Sequence, residues 1–276
     1  QIDKETFKVS THCQLNNTQH NKVNTLNQSP ISNIELVVFS DIAFDDLVDI
    51  IRTCQLKVVA LNTINQRNFA VSYRFSVHCE DLSIAKTALA NFSLEKNIEV
   101  ALIKNAPKLN QPGVLVMDMD STTIKIECID EIAALAGVGE EVAKVTEQAM
   151  QGELDFAQSL HQRVAKLSGA SESILARVAE DIPLMAGLEE LVTELKKYQW
   201  KVAIASGGFT YFADHLKGML NLDAAHANVL DIADGKLTGK VLGDVVDAQA
   251  KADCLISLQQ HYQLPYQQTV AMGDGA

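Results

Sequence analysis

Four consecutive apolar residues, Val114 to Met117, are followed directly by the acidic triplet Asp118-Met119-Asp120. A continuous apolar run of this length is typical of a strand that is buried on both faces of a parallel sheet. Folds built on such sheets bind their ligands where the strands end. An isolated Asp-x-Asp triplet is more often a solvated turn. At the end of a buried strand, however, nothing structural requires two charges, and the triplet predicts a functional site.

The chain after this strand alternates between helical and strand-like segments. Residues 128–180 are strongly helical and amphipathic, which predicts a helical segment over about residues 126–184, and strands and helices then follow each other to the end of the chain. This alternation predicts an α/β fold with a Rossmann-like parallel sheet. Because the helical stretch separates the first strand from the others, we expect it to form an inserted cap over a core that spans residues 114–276.

The chain before the strand has a different pattern. Residues 1–33 are polar and rich in Asn, Gln and Thr, which predicts a tail without regular structure. Residues 34–104 predict the element order βαββαβ of a small ferredoxin-like α+β domain. This order resembles ACT-like regulatory modules in topology alone. Two prolines and a glycine in residues 105–113 predict a linker between this domain and the α/β core.

The charge of the chain is distributed unevenly. Residues 1–113 hold 11 basic and 11 acidic side chains, whereas residues 114–276 hold 12 and 24, so the net charge of −12 belongs entirely to the second part. This balance argues against nucleic acid or an anionic membrane as a partner. Five scattered cysteines without a Cys-x-x-Cys pair favour reduced thiols and a cytoplasmic protein. No apolar run approaches the roughly 18–20 residues that span a bilayer.

Three further segments carry polar side chains at or near predicted strand ends. Ser206 and Gly207 lie between a strand and a helix, so a hydroxyl and free amides could bind a phosphate-sized anion; a serine-capped turn is the ordinary alternative. Asp274 follows the last apolar strand. Lys251 is one of few basic residues in the acidic part, and a surface lysine is the ordinary alternative. Together with the acidic triplet, these residues predict a Mg²⁺-assisted phosphoryl-transfer site.

These segments resemble the four motifs of the haloacid-dehalogenase-like phosphohydrolases. The motifs read Asp118-Met119-Asp120-Ser121-Thr122, Ser206-Gly207-Gly208, Lys251 and Gly273-Asp274-Gly275-Ala276. Glu127 and the cap segment Phe156 to Val164 resemble those of members that hydrolyse O-phosphoserine. The resemblance covers residues 114–276. The family continues the fourth motif with Asn-Asp, so we expect the chain to be truncated at its C-terminus and weakly active or inactive as it stands.

The resemblance implies a catalytic pair and a metal site. Asp118 is the expected nucleophile, which becomes an aspartyl-phosphate, and Asp120 is the expected general acid and base. Both residues, together with Asp274, are the expected ligands of Mg²⁺. Asp120 contributes its backbone carbonyl to this set, and the other two contribute their side chains.

The resemblance also implies how phosphate and substrate are bound. The residues expected to hold the phosphoryl group are Ser206, Gly207 and Lys251. Glu127 is expected to pair with the ammonium group of the substrate. Arg163 is expected to pair with its carboxylate, which suits the planar fork of a guanidinium. Met150 and Phe156 are expected to form walls of the pocket.

The implied function is Mg²⁺-dependent hydrolysis of O-phospho-L-serine to L-serine and phosphate, the last step of serine biosynthesis. The same site would serve a transferase that passes the phosphoryl group to homoserine or another alcohol. A non-catalytic amino-acid sensor with a degenerate phosphatase domain is an alternative of another class. The expected partner is a small molecule, with no nucleic acid or membrane, and a homodimer is compatible with the sequence.

Overall fold

The computed structural model describes residues 32–39, 42–67 and 70–274, and the chain divides into two compact units. The division falls between Leu102 and Ile103, inside the last strand of the first sheet. The predicted tail, residues 1–33, lies outside the described residues except for its last two positions. Among the described residues, none of the helices combines the length and the hydrophobicity that a membrane-spanning helix requires.

The first unit is a four-stranded sheet covered by two helices, as the sequence predicts. Its elements are β1 (Ile34–Val38), α1 (Phe44–Thr53), β2 (Lys57–Arg67), β3 (Ala70–His78), α2 (Leu82–Lys96) and β4 (Val100–Lys104). The sheet order is β2-β3-β1-β4, and β3 pairs antiparallel with both β1 and β2. The carboxylate of Asp81 begins α2 by accepting hydrogen bonds from two backbone N–H groups. Apolar side chains of both helices and the sheet form one core, which confirms the predicted α+β fold.

The second unit is built on a five-stranded sheet with the order β8-β7-β6-β5-β9. Its strands are β5 (Val114–Met117), β6 (Lys201–Phe209), β7 (Ala224–Ala233), β8 (Lys236–Leu242) and β9 (Thr269–Met272). The pairs β7-β6, β6-β5 and β5-β9 are parallel, and β8 is antiparallel to β7. In β5, Leu115 and Met117 pack into one apolar cluster and Val114 and Val116 into another, so both faces of the strand are buried. The predicted α/β fold is confirmed.

Four helices of this unit form an insertion between β5 and β6. The four helices are α3 (Cys128–Ala136), α4 (Gly139–Met150), α5 (Phe156–Lys166) and α6 (Ser173–Ala179). Outside the insertion, the unit has α7 (Leu188–Lys197) before β6, α8 (Thr210–Leu220) after β6 and α9 (Ala248–His261) before β9. Where the chain enters and leaves the insertion, Ile124 and Leu184 form an antiparallel bridge. Beside it, the N–H of Met185 donates to the carbonyl of Thr123 at 2.9 Å. The insertion is the helical cap that the sequence predicts.

Two strands of the sheet, β7 and β8, are missing from the sequence-based prediction. Polar residues such as Asn228 and Asp231 interrupt the apolar pattern of β7, so it does not read as a buried strand. The hairpin also contacts the cap. The N–H of Gly169 donates to the carbonyl of Leu237 at 2.8 Å, and the N–H of Leu237 donates to the carbonyl of Ala170 at 2.9 Å. The cap is therefore supported by this hairpin as well as by its connection to the sheet.

The segment predicted as a linker is held against the core of the second unit. The buried side chain of Gln268 accepts from the N–H of Lys108 at 2.7 Å and donates to the carbonyls of Lys108 and Gln111 at 2.9 and 3.0 Å. Trp200 Nε1 donates to the carbonyl of Leu109 at 2.9 Å. These bonds satisfy backbone groups of Lys108, Leu109 and Gln111 and hold the segment inside the second unit. The predicted domain boundaries stay a prediction.

Candidate active site

Three of the predicted site segments meet at the carboxyl end of the parallel sheet. Asp118 follows β5, Ser206 lies in β6 and Asp274 follows β9, and these strands are neighbours in the sheet. Parallel strands end at the same edge, so their terminal side chains converge. A cavity of about 130 Å³ opens between this edge and the cap. It is lined by Asp118, Asp120, Glu127, Ile129, Phe156, Leu160, Arg163, Ser206, Gly207, Gly208, Phe209, Lys251 and Asp274.

Asp118 is paired with Lys251 in this cavity. Lys251 Nζ donates to Asp118 Oδ2 at 2.5 Å, and the backbone N–H of Met119 donates to Asp118 Oδ1 at 2.8 Å. The lysine comes from the first turn of α9, which begins five residues earlier than the predicted helix. The carboxylate is oriented yet remains 22% exposed to the cavity. A carboxylate held in this way can attack an electrophile while the lysine neutralises negative charge beside it.

Asp120 is a carboxyl group that is kept partly protonated near neutral pH. Burial raises the pKa of Asp120 to about 6, and the negative charges of Glu127 and Asp118 act in the same direction. The N–H of Cys128, which donates to Asp120 Oδ1 at 3.1 Å, acts against this rise. A carboxyl group with a pKa in this range can donate and accept a proton near pH 7.

The raised pKa of Asp120 has a measurable consequence for stability. In the unfolded chain the group ionises near pH 3.8 and in the folded chain near pH 6, so the folded chain binds more protons between these values. The contribution of Asp120 to stability is therefore present below pH 3.8 and is lost as the pH rises through about 6. We expect the free energy of unfolding of the wild type, relative to Asp120→Asn, to fall by up to about 3 kcal/mol between pH 4 and 7. Urea unfolding with a chelator present measures this difference, and a constant value would contradict the raised pKa.

The segment Ser206-Gly207-Gly208 lies inside β6, which extends four residues beyond the predicted end of this strand. Ser206 Oγ accepts from the N–H of Gly208 at 2.9 Å, so its hydroxyl hydrogen can be donated to an anion in the cavity. Asn228 Nδ2 donates to the carbonyl of Gly207 at 2.7 Å, and Asn228 Oδ1 accepts from the N–H of Val246 at 2.9 Å. This network fixes the orientation of the Gly207 peptide at the cavity.

Gly208 leaves space that the site needs. We expect Gly208→Ala to reduce the predicted phosphohydrolase activity about 100-fold. An added Cβ would lie 2.5 Å from Met119 Cε and 2.7 Å from Asp120 Oδ2, so the Asp120 carboxylate would have to move. Both contacts are with the ends of flexible side chains, so the fold should persist. Steady-state kinetics and thermal unfolding measure the two effects.

Gly218→Ala is the matched control for this substitution. Gly218 lies inside α8, where an added Cβ meets nothing within 4 Å. We expect unchanged activity and, because alanine favours helices over glycine, a gain of up to about 1 kcal/mol in stability. Full activity of Gly208→Ala would mean that the position of Asp120 is unimportant.

Glu127 and Arg163 reach the cavity from the cap. Desolvation, the largest effect, raises the pKa of Glu127 above its ordinary value, and the positive charge of Arg163 partly opposes this rise. Arg163 Nε is buried and has no hydrogen-bond partner among the residues that the structure describes. Buried polar atoms are nearly always satisfied in folded proteins. An unsatisfied guanidinium nitrogen beside a cavity therefore fits a ligand that brings an anionic oxygen.

Asp274 is held at the site by Thr122. Thr122 Oγ1 donates to Asp274 Oδ1 at 3.1 Å and accepts from the N–H of Asp274 at 3.0 Å. Within the described part of the chain, no three His, Cys, Asp or Glu side chains are grouped to hold a metal ion. The Mg²⁺ ligands predicted from the sequence, which stay a prediction, are the carboxylates of Asp118 and Asp274 with the carbonyl oxygen of Asp120. These are oxygen ligands of the kind that Mg²⁺ takes together with water.

The two residues predicted as pocket walls lie in different places. Phe156, the first residue of α5, lines the cavity beside Gly207. Met150, the last residue of α4, is 85% exposed and lines a separate groove on the cap. The structure does not bring Met150 to the cavity, because α4 ends in an exposed turn on the outside of the cap.

Some residues that organise the site are not predicted as site residues. Ser121 Oγ donates to Glu127 Oε1 at 2.9 Å, and Asn228 holds Gly207. Asn228 offers one usable signal, because asparagine is disfavoured inside strands and this one is only 2% exposed. A buried polar residue in a strand needs a hydrogen-bonding partner, but the sequence does not say which one.

Fold and site together define an α/β protein with a helical cap over the carboxyl edge of a parallel sheet. At that edge, carboxylates, a lysine and a glycine-flanked serine share one cavity. Residues 113–276, more than half of the chain, match the family model of the haloacid dehalogenase-like hydrolases, and the chain belongs to this family.

Similar proteins with more specific names are also found. The chain is 62% identical over 179 residues to the phosphoserine phosphatase of Vibrio cholerae serotype O1. The aligned region covers 65% of this chain and 55% of the relative. It is 60% identical over 185 residues to that of Haemophilus influenzae, with 67% and 59% covered. A crystal structure of the probable phosphoserine phosphatase from Vibrio cholerae, in unliganded form, has 48% identity and a TM-score of 0.66. The matched region covers 88% of this chain and 73% of the chain in that crystal structure. The chain thus spans less than two thirds of the length of these two curated relatives.

Proposed function

We propose that this chain hydrolyses O-phospho-L-serine to L-serine and phosphate through an aspartyl-phosphate on Asp118. The observation that carries the proposal is the composition of one cavity. It combines an oriented carboxylate, a carboxyl group with a pKa of about 6, a serine hydroxyl and a lysine that can bind phosphate oxygens, and a pair of opposite charges from the cap. The names of the relatives support the same substrate.

In the first step, a carboxylate oxygen of Asp118 attacks the phosphorus atom of the substrate. The bond between phosphorus and the serine oxygen breaks, and the carboxyl proton of Asp120 passes to that oxygen. L-Serine leaves, and Asp118 carries the phosphoryl group. Lys251 neutralises charge on the phosphoryl oxygens, together with the Ser206 hydroxyl and the Gly207 N–H.

In the second step, the ionised Asp120 takes a proton from a water molecule. The water oxygen attacks phosphorus, the bond between phosphorus and the Asp118 oxygen breaks, and inorganic phosphate leaves. Asp118 returns as a carboxylate and Asp120 returns protonated, so the site is ready for another substrate. A pKa near 6 suits both duties because the group must alternate between its two forms.

The residues present fit a magnesium cofactor. The carboxylates of Asp118 and Asp274 and the carbonyl of Asp120 would hold the ion, and Thr122 would keep Asp274 in place. Bound Mg²⁺ would neutralise negative charge between these carboxylates and the phosphoryl oxygens.

Glu127 and Arg163 supply the proposed substrate specificity. Arg163 has an unsatisfied buried Nε for the substrate carboxylate, and Glu127 supplies a negative charge for its ammonium group. Phe156 would form a wall of the pocket. The proposal extends to a cytoplasmic enzyme in the last step of serine biosynthesis, with an ACT-like domain before residue 105, a core over residues 114–276 and a cap over residues 126–184.

The test is phosphate release from a panel of phosphomonoesters with and without Mg²⁺. The panel contains O-phospho-L-serine, phosphothreonine, a sugar phosphate and an aryl phosphate, and added homoserine detects transfer to another alcohol. The chain is compared with a version extended to the length of its relatives. We expect Mg²⁺-dependent hydrolysis with a kcat/KM for O-phospho-L-serine at least about 100-fold above that for the sugar phosphate, since two charged contacts are involved.

Arg163→Met is expected to abolish this preference, and Arg177→Met, at an exposed position of α6, is the matched control. Equal activity on the whole panel would leave a phosphatase but contradict the substrate. Phosphohomoserine as the main product would indicate a transferase. Binding of serine without release of phosphate would favour an amino-acid sensor.

A further inference from the structure

Ser121 has a backbone conformation that serine rarely adopts. Its φ is +55°, in the left-handed region that glycine, asparagine and aspartate tolerate best. Among the described residues, the other seven non-glycine residues with a positive φ are all Asn, Asp or Gln. A glycine would adopt this backbone without strain. A strained serine next to a site points to a role for its side chain.

The hydroxyl of Ser121 holds Glu127. Ser121 Oγ donates a hydrogen bond to Glu127 Oε1 at 2.9 Å. Glu127 immediately precedes α3, yet its carboxylate makes no capping hydrogen bond to that helix. An exposed glutamate that is not held would sample several rotamers. The contact with Ser121 therefore fixes one carboxylate oxygen of Glu127 and leaves Oε2 for a ligand at the cavity.

We propose that Ser121 is a positioning residue that gives the site its preference for a substrate with an ammonium group. The inference rests on the proposed function, in which Glu127 binds that group. The left-handed backbone at Ser121 brings the hydroxyl to the carboxylate of Glu127. An orientation that is fixed before binding reduces the conformational entropy lost when the ammonium group arrives.

The test compares the wild-type full chain with Ser121→Gly on two substrates. These are O-phospho-L-serine and 3-phosphooxypropanoate, which differs from it only in lacking the ammonium group. We expect Ser121→Gly to raise KM for O-phospho-L-serine about tenfold with kcat within about twofold, since one hydrogen bond to a charged group is lost. Both parameters for 3-phosphooxypropanoate should stay unchanged. The melting temperature should not fall, because glycine accepts a positive φ.

Three further variants separate the hydroxyl from the backbone. Ser121→Ala removes the hydroxyl alone and should show the same rise in KM. Asn221→Gly, at the left-handed residue that ends α8, is the matched control and should leave KM unchanged. In a Glu127→Gln background, Ser121→Gly should add little, because both residues act on the same ammonium group.

Two results would overturn the inference. An unchanged KM for O-phospho-L-serine in Ser121→Gly would show that Glu127 needs no such support. Equal losses on both substrates would place the effect of Ser121 on phosphoryl transfer instead. Failure of the proposed function is visible separately, because the wild type would then not prefer O-phospho-L-serine over 3-phosphooxypropanoate, and the inference would fall with it.

Discussion

Asp118→Asn is expected to lower kcat for O-phospho-L-serine about a thousandfold or more while the chain keeps its fold. The carboxamide has almost the same shape as the carboxylate but is a poor nucleophile, so the proposed aspartyl-phosphate should not form. Asp118 and Lys251 are both partly exposed, so their ion pair contributes about 1 kcal/mol or less to stability. Phosphate release measures the first effect, and circular dichroism during heating measures the second.

Asp214→Asn is the matched control for this variant, because Asp214 is an exposed carboxylate on α8 away from the cavity. It should keep wild-type kinetics and stability. An Asp118→Asn variant that releases phosphate at nearly the normal rate would show that another group attacks phosphorus. An unfolded variant would show instead that the pairing with Lys251 is structural.

Asp120→Asn is expected to separate the two steps of the reaction. An aryl phosphate has a good leaving group that needs no proton, so phosphorylation of Asp118 should still occur. The second step of the proposed mechanism would lack its base and should slow by a factor of about 10² to 10⁴. We therefore expect a burst of about one equivalent of the aryl alcohol, followed by slow turnover. With O-phospho-L-serine, whose leaving oxygen needs the proton, both steps should be slow.

Rapid-quench kinetics measures the burst, and intact-protein mass spectrometry shows whether one phosphoryl group is attached. The double variant Asp118→Asn/Asp120→Asn should show neither. Asp181→Asn, at an exposed carboxylate just after α6, is the matched control and should behave like the wild type. Slow turnover of the aryl phosphate without a burst would contradict the role of Asp120 in the second step.

The strands that bear the site are predictable because they carry a simple pattern. Val114 to Met117 are all apolar, and both faces of β5 are covered, so the burial and the sequence agree. The residues at the strand ends, Asp118 and Asp274, follow from the same pattern. In β7 the apolar pattern is interrupted by Asn228. This polar residue is buried because its side chain makes hydrogen bonds to the backbone of Gly207 and Val246.

The cap shows a second limit of prediction from the sequence. Its helical character is evident, and the residues Glu127, Phe156 and Arg163 do line the cavity. Met150 shares the amphipathic pattern but lies on the outer surface of the cap. Periodicity indicates that a helix has an apolar face, but it does not tell whether that face meets the core, the cavity or solvent.

The sequence by itself determined the kinds of most elements, the ends of β5 and β9 and the chemical types at the site, because local pattern and residue chemistry act over a few positions. Only the tertiary structure decided which of these groups meet. Lys251 reaches Asp118 across 133 positions, and Thr122 holds Asp274 across 152. Such contacts depend on strand order and on the packing of helices against the sheet. The raised pKa of Asp120 and the bond from Ser121 to Glu127 involve residues that lie close together in the sequence. They too arise only in the folded chain, where burial removes water from the carboxyl group and the backbone conformation brings the side chains together.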